Sequence, residues 1–130
     1  MLKWKLILQL SVFGLIMAFA SVSLISTKME PPFWLIAFIF SAFVIAKVAP
    51  GKYFLHGFMV AMFNSLWITL VHLFFYDSYA ANHQDIMPMY GAHPRSMMLL
   101  MGPVFGVMFG IILGLFALIA SKVVKKNEED

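Results

Sequence analysis

The chain has 130 residues, of which 62% are hydrophobic and only 12% charged, and its mean hydropathy is +0.91. That little charge cannot cover a water-facing surface, which excludes an ordinary soluble domain, where about 25% of residues are charged. The net charge of +3 sits on basic residues at the ends of apolar runs and not on one continuous patch, which argues against nucleic acid as a partner, and the lack of Cys removes disulfides, thiolate metal sites and cysteine nucleophiles.

The apolar residues fall in four long runs without a polar stripe, so the expected fold is all-α: an integral membrane four-helix bundle in one transmembrane domain over 1–130. The first span is predicted at 6–25, after Lys3 and Lys5. About 20 residues at 1.5 Å each cross a hydrocarbon core of ~30 Å. A rival reading is a cleaved leader, because Met1 to Lys5 has the form of a charged n-region and Ala18-Phe19-Ala20 that of a small-x-small cleavage site. Apolar character continues through Val22, Leu24 and Ile25, which favours a retained span.

The second span is predicted at 33–49, between Pro31-Pro32 and Pro50-Gly51. Proline suits a first helical turn, whose N–H groups have no partner anyway, and it breaks a continuing one. Lys47, in the last turn, can extend its stem and place its ammonium at the headgroups. The third span, 53–76, carries His56, Asn64 and His72 in steps of eight residues. These spread over about 160° of the helix surface at 100° per residue and form no single line. Asn64 lies nearest the midplane, and its amide requires a partner such as Ser11, Ser21, Ser41 or a backbone carbonyl.

The fourth span, 98–120, contains Gly102, Gly106, Gly110 and Gly114. Each step of four advances the stripe by about 40°, so the four share a slowly winding face on which another backbone can come close. Three readings compete: packing inside the chain against the first or third span, a seam between subunits, or a sliding surface. Pro103 is expected to mark the entry of this helix. The other connections are short, so consecutive spans are expected to be antiparallel neighbours, and the tail beyond Lys122 is expected to fray.

The one long connection, 77–97, is an outer loop between the third and fourth helices. Seven of the nine Lys and Arg (Lys3, Lys5, Lys47, Lys52, Lys122, Lys125 and Lys126) belong to one side, with Lys28 and Arg95 on the other. The positive side is cytoplasmic, so both termini are expected inside, in a bacterial inner membrane, with the loop outside. Trp4, Trp34, Tyr53, Tyr76 and Tyr79 lie near span ends as interfacial residues, whereas Trp67 reads as a packing residue.

The loop gathers His83, Asp85, Met87, Met89 and His93, imidazole, carboxylate and thioether donors that suit copper. A competing reading gives Met97, Met98 and Met101 to the fourth span and lays 86–90 on the membrane face. A histidine of the third span could be the axial ligand of a haem or other pigment. Catalysis by His83 or His93 beside Asp77 or Asp85 lacks a paired nucleophile. No Asp or Glu lies within a predicted span, which weighs against a carboxylate-driven pump.

The leading functional expectation is a non-enzymatic membrane protein that requires no cofactor. It would associate with itself or with other membrane subunits through the glycine stripe, with lipid around it and the loop as recognition surface. An oligomeric channel or transporter lined by His56, Asn64 and His72 is the second class, and metal or pigment handling the third.

Overall fold

The computed structural model describes residues 3–23, 28–49, 51–85 and 87–129, without the side chains of residues 23 and 125–129. The side chains of Lys125 and Lys126 of the basic count, and Pro50, Ile86 and the end of the first predicted span at 24–25, fall outside that description. Every described regular element is helical: α1 (Trp4–Ser23), α2 (Glu30–Val48), α3 (Tyr53–Phe74), the short α4 (Tyr76–Asn82), a single 3-10 turn (Met87–Tyr90) and α5 (Pro94–Glu129).

Four of these helices, α1, α2, α3 and α5, are long and apolar enough to cross a membrane. Their outward faces agree with lipid as solvent. Phe74, Leu100, Ile36 and Ile119 are 81%, 67%, 66% and 62% exposed, a surface that water would not tolerate over such an extent. Inside, the polar side chains are satisfied: among the described residues no buried side-chain N or O lacks a hydrogen-bond partner.

Helix boundaries differ from the sequence expectation for identifiable reasons. α2 starts at Glu30, three residues early, because Pro31 and Pro32 both fit its first turn, where no N–H is missed. α5 starts at Pro94 and not at Met98, by the same use of proline, so Pro103 lies in the helix interior and does not mark its entry. At its other end α5 runs to Glu129, past the expected stop at 120. Val124 still packs in the core, and Lys and Glu are good helix formers.

Packing order also departs from the simple expectation. α3 is the central helix, with α5 and α1 as its main partners, while α2 leans chiefly on α5. Consecutive α1 and α2, and α2 and α3, touch little. Along the α1–α3 pair, Lys3 meets His56, Gly14 meets Asn64 and Ser21 meets His72, so these two helices run parallel. Along α3–α5, Gly57 meets Gly114 and Thr69 meets Gly102, so those run antiparallel. Glycine decides the partners: Gly14 admits the Asn64 side chain, and Gly57 admits the α5 backbone.

Candidate functional site

Three layers of polar contact run along α3. At its start, Lys52 adopts the left-handed conformation (φ 51°), and its carbonyl accepts from His56 Nδ1 at 2.9 Å. His56 Nε2 accepts the Lys3 backbone N–H at 3.0 Å. A carbonyl can only accept and an amide can only donate, so the two partners assign the ring its tautomer, with the proton on Nδ1.

At mid-helix, Asn64 Oδ1 accepts the Gly14 backbone N–H at 3.1 Å. The expected serine or carbonyl partner is replaced by a backbone donor, because Gly14 has no side chain to hold the amide away. Trp67 is half-buried and donates from Nε1 to Ser11 Oγ at 3.1 Å, while Ser65 Oγ donates to the Gly102 carbonyl at 2.5 Å.

The third layer joins α3 to the connection between α3 and α5. His72 Nε2 lies 2.8 Å from Ser21 Oγ, which itself donates to the Ala18 carbonyl at 3.0 Å. The rings of His72, Tyr79 and His83 stack in sequence, with centroids 3.8 and 4.3 Å apart. His83 Nε2 and Asn82 Nδ2 both donate to the Ser21 carbonyl, at 2.7 and 3.1 Å. That carbonyl lies near the end of the described part of α1, so the residues that close α4 are tied to α1 by two side-chain bonds. Tyr79, expected at the interface, is instead the buried middle plate of this stack, 4% exposed.

The expected outer loop is therefore largely folded. Of its proposed metal donors, His83 is buried and bonded to Ser21, whereas Asp85, Met89 and His93 are exposed and Met87 is half-buried. Among the described residues no three His, Asp or Glu side chains come together in a way that could hold a metal ion. Both ring nitrogens of His56 are engaged, so ligation of a pigment there would break a bond, and His72 is engaged through Nε2 with Ser21. Arg95 lies over the Tyr76 ring at 4.2 Å and pairs with Asp77 at 3.7 Å on the surface.

All four glycines of the predicted stripe are buried and face α3 of the same chain. A Cβ on Gly114 would sit 2.9 Å from the Phe54 carbonyl, and one on Gly110 2.7 Å from the Phe58 ring. Sequence reasoning missed the partner glycine: a Cβ on Gly57 would meet the Leu113 carbonyl at 2.8 Å and the Gly114 Cα at 2.9 Å. An isolated glycine in the third run gives no period to detect, whereas four in register do.

Between α2, α3 and α5, roofed by Tyr79 and Tyr90, lies a cavity of about 520 Å³. This falls within the ~300–1,000 Å³ typical of small-ligand pockets. Its walls are strongly segregated. Glu30, Ser21, His72, Tyr79 and Tyr90 gather at the α4 end, a short polar strip of Thr69, Ser65 and Asn64 continues along α3, and the rest is apolar. Phe38, Phe109 and Phe116 close the far part, Phe38 meeting each of the other two edge to face. Along α3 the lining reaches from His72 to Ala61, roughly 16 Å at 1.5 Å per residue.

Glu30 is the cavity-lining residue that the sequence reading placed outside the spans. It is the first residue of α2, half-buried, and within hydrogen-bonding reach of Ser21. The signal was present, since an acidic residue immediately before Pro-Pro is a helix-start pattern and therefore belongs to the span. The Tyr79 and Tyr90 hydroxyls share a hydrogen bond. Burial pushes both phenols above their ordinary range, and the negative charge of Glu30 adds to the effect on each.

The chain matches no protein family, no curated protein and no solved structure in the three corresponding comparisons. What it is rests on its own residues: a small helical membrane protein with four long apolar helices and an amphipathic cavity among them.

Proposed function

We propose that this protein is a non-enzymatic membrane protein that binds a single-chain amphiphile between α2, α3 and α5. The headgroup would lie at Glu30, Ser21 and Tyr90, and the chain among the phenylalanines. The carrying observation is the make-up of the cavity wall, with Glu30 and the two phenols at one end, a polar strip down α3 as far as Asn64, and aromatic and aliphatic groups on the facing α2 and α5. A ligand that is polar throughout would leave hydrogen-bonding groups facing Phe38, Phe109 and Phe116, and a ligand that is apolar throughout would strand the polar end.

The seven-to-two distribution of Lys and Arg supports both termini on the cytoplasmic side, here read as that of a bacterial inner membrane, and with that orientation the polar end of the cavity would lie in the outer leaflet. A pathway across the membrane has less support. The polar lining stops at Asn64, and His56, at the other end of α3, is occupied by Lys3 and Lys52. The glycine stripe supports no seam between subunits, because α3 already covers it. Any assembly with a second copy or another membrane subunit would use a different face.

Native mass spectrometry of the protein, after exposure to dodecanol in nanodiscs, tests this reading. One adduct per chain is expected, and it should be lost in Leu35→Trp and in Ile112→Trp. Both positions line the cavity yet are 52% and 40% exposed, so a larger ring there fills space without disrupting the core. A bare wild-type mass with dodecanol, dodecylamine and dodecanoate alike, or an adduct retained in both variants, would overturn the proposal.

A further inference from the structure

Resting on the amphiphile reading, the geometry points to a further property of the same cavity: it selects long-chain amines, with Glu30 as the counter-ion of the ammonium group. The polar end is built of Glu30, Ser21, His72, Tyr79 and Tyr90, and its donors are mostly spent on one another. The hydroxyls of Tyr79 and Tyr90 are hydrogen-bonded to each other. His72 Nε2 is engaged with Ser21 Oγ at 2.8 Å, and that hydroxyl also contacts the Ala18 carbonyl at 3.0 Å. What remains toward the cavity is the carboxyl of Glu30, with its several lone pairs, and the hydroxyl of Tyr90.

Among the described residues lining the cavity there is no Lys or Arg. Arg95, on the loop side of the molecule, is turned toward Asp77 and the Tyr76 ring and is not part of the lining. A fatty-acid carboxylate or a phosphate would thus be taken out of water beside Glu30 with no positive side chain to compensate it, which is strongly unfavourable. An ammonium reverses the sign. It supplies three donors to an acceptor-rich end and gains a charge-assisted bond with Glu30, and the Tyr90 oxygen can accept another. A neutral alcohol fits the same place with a weaker bond.

A free long-chain amine carries the ammonium on one chain and without a phosphate, as the cavity requires, whereas an aminophospholipid brings a second chain and a phosphate, and the measurement separates the two. Dodecylamine, dodecanol and dodecanoate are titrated against the full-length protein in phosphatidylcholine nanodiscs, with adducts counted by native mass spectrometry. The dodecylamine series is then repeated in nanodiscs containing phosphatidylethanolamine. The expected order is amine, then alcohol, then carboxylate. Glu30→Gln, which keeps the shape and removes the charge, should weaken amine binding about tenfold while leaving the alcohol nearly unchanged. Glu30→Lys should move the preference to dodecanoate. Competition by phosphatidylethanolamine would identify the lipid as the ammonium source, and its absence would identify the free amine. Dodecanoate binding as tightly as dodecylamine, or an unchanged order in both Glu30 variants, would overturn the inference while leaving the amphiphile reading intact. Failure of all three probes to bind would instead defeat the amphiphile reading itself.

Discussion

The two ends of the α3–α5 contact use the same kind of residue to opposite effect. Near the start of α3, Gly57 and Gly114 face each other, and nothing but backbone separates the helices, so the seam is closed. Further along, Gly106 and Gly102 meet Met62, Ser65 and Thr69, so a side chain's width holds α5 away from α3. With α2 leaning on α5 and hardly touching α3, that separation opens into the cavity. Glycine on one helix thus gives a smooth wall, and glycine on both gives a closed crossing. The position of small residues on α3, more than the stripe on α5, decides where the bundle is solid and where it can accept a ligand.

The largest expected effect comes from forcing the closed end apart. Gly57→Leu and Gly114→Leu should each cost about 3 kcal/mol or prevent folding, since the added atoms overlap the α5 backbone at position 57 and both the ring and the carbonyl of Phe54 at position 114. Gly106→Ala should cost about 1 kcal/mol, because the atoms it meets, Met62 Sδ at 3.0 Å and Ser65 Cβ at 3.1 Å, belong to side chains. Gly51→Ala, which meets nothing within 4 Å, is the control. Thermal unfolding in detergent ranks the four, and equal losses at positions 57 and 106 would remove the distinction between a closed and an open end.

A smaller effect is expected where the cavity is roofed. His83→Ala removes one of two donors to the Ser21 carbonyl and the outer plate of the aromatic stack, and should cost about 2 kcal/mol. Hydrogen exchange should rise in α4 and the last turn of α1 and remain unchanged at the Gly57–Gly114 crossing. Faster exchange at that crossing would mean that the two ends are one cooperative unit and that the contrast between them has no energetic content.

Much of this was legible in the residues, and the limits have physical causes. Four apolar runs of about twenty residues declare four spans, because only a helix satisfies its own backbone in lipid. The Gly102–Gly114 period declares a close contact, but its address depends on the facing helix, and a single Gly57 among large residues announces nothing. Asn64 is visible as a group that needs a partner, while the partner, the Gly14 backbone, is a property of how α1 lies. The connection 77–97 reads as a loop with metal donors by composition. It folds as α4, held by His83 and Asn82 on the Ser21 carbonyl of α1, a contact over sixty residues away in sequence that no local pattern encodes. Glu30 was misplaced by three residues only, yet those three decide whether the cavity has a carboxyl in it.

The smallest expected effect concerns how the closed end is pinned. Lys52 is the only described non-glycine residue with positive φ, and a left-handed backbone costs an L-residue about 1–2 kcal/mol. Its carbonyl is what His56 holds at 2.9 Å, and the other ring nitrogen of His56 holds Lys3, so the strained turn fixes where α1 and α3 begin relative to each other. Lys52→Gly keeps that carbonyl and relieves the side-chain clash at the cost of a more flexible unfolded chain. A net gain of about 0.5–1 kcal/mol is expected, read as a higher midpoint in thermal unfolding. His56→Leu should cancel the gain, because without the ring the turn has no reason to stay left-handed. A lower midpoint for Lys52→Gly alone would assign the position to its ammonium at the headgroups, and the pinning of α1 to α3 would then rest on charge and not on backbone.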